Sequence, residues 1–131
     1  MTKIYGSVVN RIMESGRYPT PEIGMGVTFT YWSDRTPGTI VAVRERNGKL
    51  HEIDTVGDLH GRNLAVWPDQ RYEITPTDPA NLPEGTRVQT WRMDRRGRLR
   101  KTMINENGRR ILTDNGGIVL GSRDYYQDPS F

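Results

Sequence analysis

The strongest constraint on this chain is a recurring piece of punctuation. Short runs that alternate apolar and polar residues are separated by glycine turns. Asn47-Gly48 is the clearest, because an Asn-Gly pair readily takes the left-handed backbone that a two-residue hairpin needs. Val27 to Trp32 alternates Val27, Phe29 and Tyr31 against Thr28, Thr30 and Trp32, a period of two in strand-forming residues. Ser33 to Gly38 reads as a turn, Thr39 to Arg46 as a second strand and Lys49 to Thr55 as a third. Further on, Thr86 to Met93 alternates, Arg95-Arg96-Gly97 turns and Arg98 to Ile104 returns. Asn107-Gly108 leads into Arg109 to Leu112, and Asn115-Gly116-Gly117 into Ile118 to Leu120.

The intervening stretches are weaker. Residues 57–70 show no period and read as a long loop anchored by Trp67. Arg71 to Thr75 reads as a short strand, and Pro76, Pro79 and Pro83 stiffen the connection that follows. The one expected helix is N-terminal: Val8, Val9, Ile12 and Met13 share a face, Ser7 caps it and Gly16 ends it. The expected fold is one domain over residues 1–131, mainly β. It would be a twisted antiparallel sheet or partly open small barrel with that short helix.

Composition narrows the chemistry. The chain has no Cys, which excludes disulfides, thiolate metal sites and Cys nucleophiles. Its N-terminus lacks the apolar core of a signal peptide and no run approaches membrane-spanning length, so a cytoplasmic protein without a membrane partner is expected. Hydrophobic residues are 34% of the chain, thin for a self-sufficient core. With Trp32, Trp67, Trp91 and six Tyr, this favours an oligomer that buries aromatic surface between subunits.

Basic residues total 19, and only Lys3, Lys49 and Lys101 among them are Lys. Arginine pairs with phosphate through a planar fork and stacks on rings; a GC-rich genome would also produce the bias. The stretch 87–110 carries Arg87, Arg92, Arg95, Arg96, Arg98, Arg100, Lys101, Arg109 and Arg110 against Asp94 and Glu106 alone. A basic ribbon of this kind suits an anionic ligand. It equally suits a solvated hairpin that resists edge aggregation.

No constellation calls for catalysis. Asp58-Leu59-His60 between Gly57 and Gly61 resembles the first metal motif of metallophosphoesterases, but the later ligands of a two-metal site do not follow. A turn in which Asp58 bonds nearby backbone is the simpler reading. No Gly-x-Ser-x-Gly elbow exists and Gly24-Met25-Gly26 is too short for a dinucleotide loop. A non-enzyme without metal or cofactor is expected. Aromatic-plus-Arg clusters recur instead, at Tyr31-Trp32-Ser33-Asp34-Arg35, at Trp67 with Arg71-Tyr72, and at Arg123-Asp124-Tyr125-Tyr126. Such a cluster can stack a base and hold its phosphate. For Trp32 the competing reading is core packing, and for the tail a segment docked over the sheet.

These same segments carry a resemblance. Ile23-Gly24-Met25-Gly26-Val27-Thr28, Trp32-Ser33-Asp34-Arg35, Thr39-Ile40-Val41, Asp69-Gln70-Arg71-Tyr72-Glu73 and the terminal Gly121-Ser122-Arg123-Asp124-Tyr125-Tyr126 ending in Phe131 resemble a widespread group of small phage proteins. The likeness covers most of the chain and is thinnest over 76–90. The group is in turn similar to phage Thoeris anti-defence proteins. Those are oligomeric sponges that sequester cyclic ADP-ribose isomers, and in some cases cyclic oligonucleotides, without cleaving them. The resemblance implies a cyclic nucleotide ligand, a homo-oligomer and a bacterial host cytoplasm. Its matched positions make Trp32, Arg35, Tyr72 and Arg123 the candidate ligand-binding residues. Two alternatives stand beside it: a small-barrel binder of single-stranded nucleic acid using the 87–110 hairpin, and a phage protein that inhibits a host protein.

Overall fold

The computed structural model describes residues 19–62 and 72–125. They form β1 (Gly26–Tyr31), β2 (Asp34–Arg46), β3 (Lys49–Gly57), β4 (Leu59–Arg62), β5 (Tyr72–Thr75), β6 (Gln89–Met93), β7 (Leu99–Ile104), β8 (Arg110–Leu112) and β9 (Gly117–Leu120). Seven strands make one antiparallel sheet in the order β8-β7-β6-β3-β2-β1-β9, and β4 pairs with β5 in a separate ribbon. The described residues contain no helix, and the helix expected over 7–16 lies outside them.

The sheet curls into a half-barrel. A bulge helps: Ile40 pairs with Thr55 but Ala42 pairs with Asp54, so Val41 is an extra residue on β2. A bulge sharpens local twist and bends the strand. It also flips the alternation, so that both Ile40 and Val43 turn toward the core. The concave face holds Val27, Ile40, Ile53, Trp91, Leu99, Ile118 and Leu120. Phe29 on β1 stacks on Trp91 of β6 across the curl, with ring centroids 6.0 Å apart and planes at 7°. The buried Trp91 indole donates to Thr55 Oγ1 at 3.0 Å, which satisfies its one polar atom in an apolar setting. Nearer the open side, Lys101 of β7 hydrogen-bonds the Tyr31 hydroxyl of β1 and lies 4.9 Å from its ring centroid.

The turns differ from expectation in two places. Asn47-Gly48 is the expected tight turn, with φ of +54° and +73°. The first hairpin, however, closes at Tyr31↔Asp34. Only Trp32 and Ser33 turn, and Asp34 to Gly38 belong to β2 rather than to a long turn. Pro37 is tolerated because its carbonyl accepts from Asp58 N–H just beyond the end of β3, so its missing donor faces no ladder partner. The segment 57–70 also contains a strand, β4. It is four residues long and interrupted by a glycine, too short to show a period.

Candidate functional site

The site is built on one end of the β1–β2 hairpin and on the C-terminal segment that crosses it. Residues paired directly across an antiparallel ladder share a face, so Gly26, Thr28, Thr30, Arg35, Pro37 and Thr39 line the convex side. The tail runs over that side. Gly121 N–H donates to Gly26 O, and Thr28 Oγ1 donates to Ser122 O at 2.8 Å. Gly26 leaves room for this crossing, since a Cβ there would lie 2.8 Å from the Arg123 side chain.

Arg123 is committed to an internal ion pair. Its Nε donates to Asp58 Oδ2 at 2.9 Å, and its Nη2 donates to Thr39 Oγ1 at 3.0 Å and to Gly24 O at 3.3 Å. The Asp58 side chain is fully enclosed. Its Oδ1 accepts from Thr39 Oγ1 at 2.7 Å, Thr77 N–H at 3.0 Å and Thr77 Oγ1 at 2.8 Å. Asp58 therefore ties β2, the β3–β4 junction, the segment after β5 and the tail into one knot. The Asp58-x-His60 pair serves structure here. His60 Nδ1 lies 3.2 Å from Asp58 O and its ring packs 4.2 Å from that of Tyr125. Among the described residues no group of His, Asp and Glu is arranged to hold a metal ion.

The same tail places Asp124 3.7 Å from Arg35. Both side chains are more than half exposed, and a pair this long and wet contributes about 1 kcal/mol at most. The Arg35 guanidinium is thus available to a stronger anion. Three residues earlier, Trp32 is 95% exposed with φ of +52°. It packs into no core. It occupies the first turn position, where glycine is the common residue, and for a bulky side chain this backbone is a genuine outlier. Tyr72 stands on β5 opposite Arg62, on the ribbon that joins Asp58 to Thr77. Of the four sequence candidates, Arg123 belongs to the crossing tail, and Arg35 lies against the next tail residue, Asp124. Trp32 sits at the adjoining turn and Tyr72 on the neighbouring ribbon.

The simpler sequence reading, a turn in which the Asp58 side chain bonds nearby backbone, is corrected: its carboxylate bonds Thr39, Thr77 and Arg123, all distant in sequence. Thr39 and Thr77 carried no signal. A charged pair 65 residues apart leaves no local signal.

No protein-family model, curated protein or solved structure matches this chain. Among the described residues, no helix is long and apolar enough to cross a membrane.

Proposed function

We propose that the protein binds a small cyclic nucleotide and holds it unchanged, as a phage-type sponge for an immune signal. The observation that carries this reading is Trp32, held 95% exposed on a strained backbone beside the weakly engaged Arg35. Strain of this kind costs about 1–3 kcal/mol and clusters at functional sites. An indole so presented offers a flat face to a base, worth about 1–3 kcal/mol in stacking. Arg35 supplies the fork for a phosphate, and Arg123 acts as a positioning residue that fixes the tail bearing Asp124. The resemblance to anti-defence sponges narrows the ligand to a cyclic ADP-ribose isomer or a cyclic oligonucleotide. A thin core supports a seat completed by a second subunit. Cytoplasmic action follows from a cytoplasmic signal.

Calorimetry on the purified chain tests it, with cyclic ADP-ribose isomers, cyclic di- and trinucleotides and a short single strand as titrants. One cyclic nucleotide should bind, and heat denaturation should release it intact. Trp32→Ala and Arg35→Gln should each weaken binding at least tenfold. Silence toward every cyclic nucleotide, or recovery of cleaved ligand, overturns the proposal.

A further inference from the structure

The basic stretch 87–110 does not form one surface. Arg92 pairs with Glu52 at 2.8 Å, and Arg100 pairs with Asp114 at 2.7 Å. Arg110 donates to Thr102 Oγ1. Arg87 precedes β6 and Arg109 lies in the β7–β8 turn, both at the opposite end of the sheet from the β6–β7 turn. Lys101 is turned to the Tyr31 hydroxyl and ring. What remains of the stretch is Arg95, Arg96 and Arg98, all exposed on that turn.

The register gives those three new neighbours. Arg46↔Lys49 closes the β2–β3 hairpin and Met93↔Leu99 closes β6–β7, while Glu52↔Arg92 pairs β3 with β6. The two turns therefore leave the sheet side by side at the same end. Arg46 and Lys49 are exposed on the first turn. Among the described residues, their cationic groups and those of Arg95, Arg96 and Arg98 reach no carboxylate within ion-pair distance, unlike Arg44, Arg92, Arg100 and Arg123.

The acids offset this pole only in part. Asp94, whose Oδ1 accepts from the N–H groups of Arg96 and Arg98 at 2.9 Å each, and Glu45 stand against Arg46, Lys49, Arg95, Arg96 and Arg98, so the pole stays net positive. Neither tip presents an exposed large apolar residue; those of the described chain (Ile23, Trp32, Leu59, Met103 and others) all lie elsewhere.

We propose that this two-hairpin pole docks on the phosphodiester backbone of a nucleic acid. Four of its five cations are Arg, which suits phosphate forks better than a diffuse anionic surface. The lack of an apolar residue to insert disfavours a lipid surface. The lack of an aromatic ring on either tip means that bases are not stacked there, so binding follows the backbone and ignores sequence. From β2 to β7 the pole spans three strand spacings of about 4.8 Å, or roughly 14 Å. At one phosphate per 3.4 Å of strand this reaches about four phosphates. The site is separate from the Trp32 turn, which leaves the other end of the sheet.

The test is fluorescence anisotropy with the full chain, a 20-base-pair DNA duplex and a single-stranded 20-mer across a salt series. Duplex affinity should fall roughly a hundredfold between 50 and 200 mM salt, as about four released counterions require. Joint substitution Arg95→Gln, Arg96→Gln and Arg98→Gln should reduce affinity at least tenfold and flatten the slope. The matching Lys variants should retain most binding. Arg87→Gln with Arg109→Gln should change little. These positions are exposed, and thermal melts should show every variant folded. No binding at 50 mM salt overturns the proposal, as does equal loss in the Arg87/Arg109 control. Tighter binding to phosphatidylserine vesicles than to either nucleic acid also overturns it.

Discussion

Arg123 Nε lies 2.9 Å from Asp58 Oδ2, and the Asp58 side chain has no exposure to solvent. Removing one partner of a buried pair costs far more than the pair itself contributes, because it leaves a desolvated charge. Arg123→Met should therefore destabilise the protein by about 3 kcal/mol, the lower part of the 3–5 range, since Thr39 and Thr77 still donate to the carboxylate. Adding Asp58→Asn should restore more than half of the loss. Urea denaturation of the two single variants and the double variant checks it. A coupling energy below about 0.5 kcal/mol would show that the two residues act independently.

If the proposed site is right, Trp32 variants should separate stability from binding. Its φ of +52° disfavours every residue with a Cβ, by about 1–2 kcal/mol relative to glycine. Trp32→Gly should be more stable than Trp32→Ala by about 1 kcal/mol, while both lose the cyclic nucleotide. Thermal melts beside calorimetric titration read both properties. Equal melting of the Gly and Ala variants would remove strain from the argument for this turn.

Much of the sheet was legible because its turns are chemically loud. Asn47-Gly48, Gly97, Asn107-Gly108 and Gly116-Gly117 each sit between alternating runs, and each marks a strand boundary. The Trp32-Ser33 turn was not legible, because a turn normally advertises itself with glycine and here glycine is absent. Ser33 to Gly38 resembled a longer turn for the opposite reason: Pro37 and Gly38 are turn residues used inside a strand. For the candidate site the sequence offers a list, Trp32, Arg35, Tyr72 and Arg123, but not a geometry. The sequence does not distinguish the exposed Arg35 from the internally paired Arg123. Nor does it show that Arg46 and Lys49 share an end of the sheet with Arg95, Arg96 and Arg98, since that depends on strand order.

Gly38 is the tightest approach in the hairpin. A Cβ there would lie 2.4 Å from Phe29 Cε2 and 2.7 Å from Val56 O. The ring can yield only by giving up its stack on Trp91, and the carbonyl belongs to a central strand. Gly38→Ala should cost about 3 kcal/mol, at the upper end of overpacking. Adding Phe29→Leu should recover only part of it, because the carbonyl contact remains. Full recovery in the double variant, measured by chemical denaturation, would place all the strain in the ring.

Acid should strip stability from the convex face. Glu52 lies between Arg44 and Arg92, with contacts of 3.0 and 2.8 Å, and Asp54 accepts from both Arg44 Nη atoms and from Thr90 Oγ1. Burial on its own would push the Glu52 carboxyl up, yet the hydrogen bonds from Arg92 and Arg44 outweigh it and hold the group below its ordinary 4.5. The Arg44 fork holds Asp54 below its ordinary 3.8, against burial and with help from Thr90. Depressed folded values mean that the unfolded chain takes up these protons first as pH falls. The contribution is therefore complete above the unfolded values and is lost as pH drops through the folded ones. Urea midpoints should be flat from pH 7 to 5 and then decline steeply. In the Glu52→Gln, Asp54→Asn variant the decline should be shallower, leaving a smaller slope from Asp94, lowered by the Arg98 and Arg96 N–H groups against slight burial, and from Asp78, lowered by the Asn81 side chain and the Ala80 N–H. An unchanged slope in that variant would mean that the convex network does not govern acid stability.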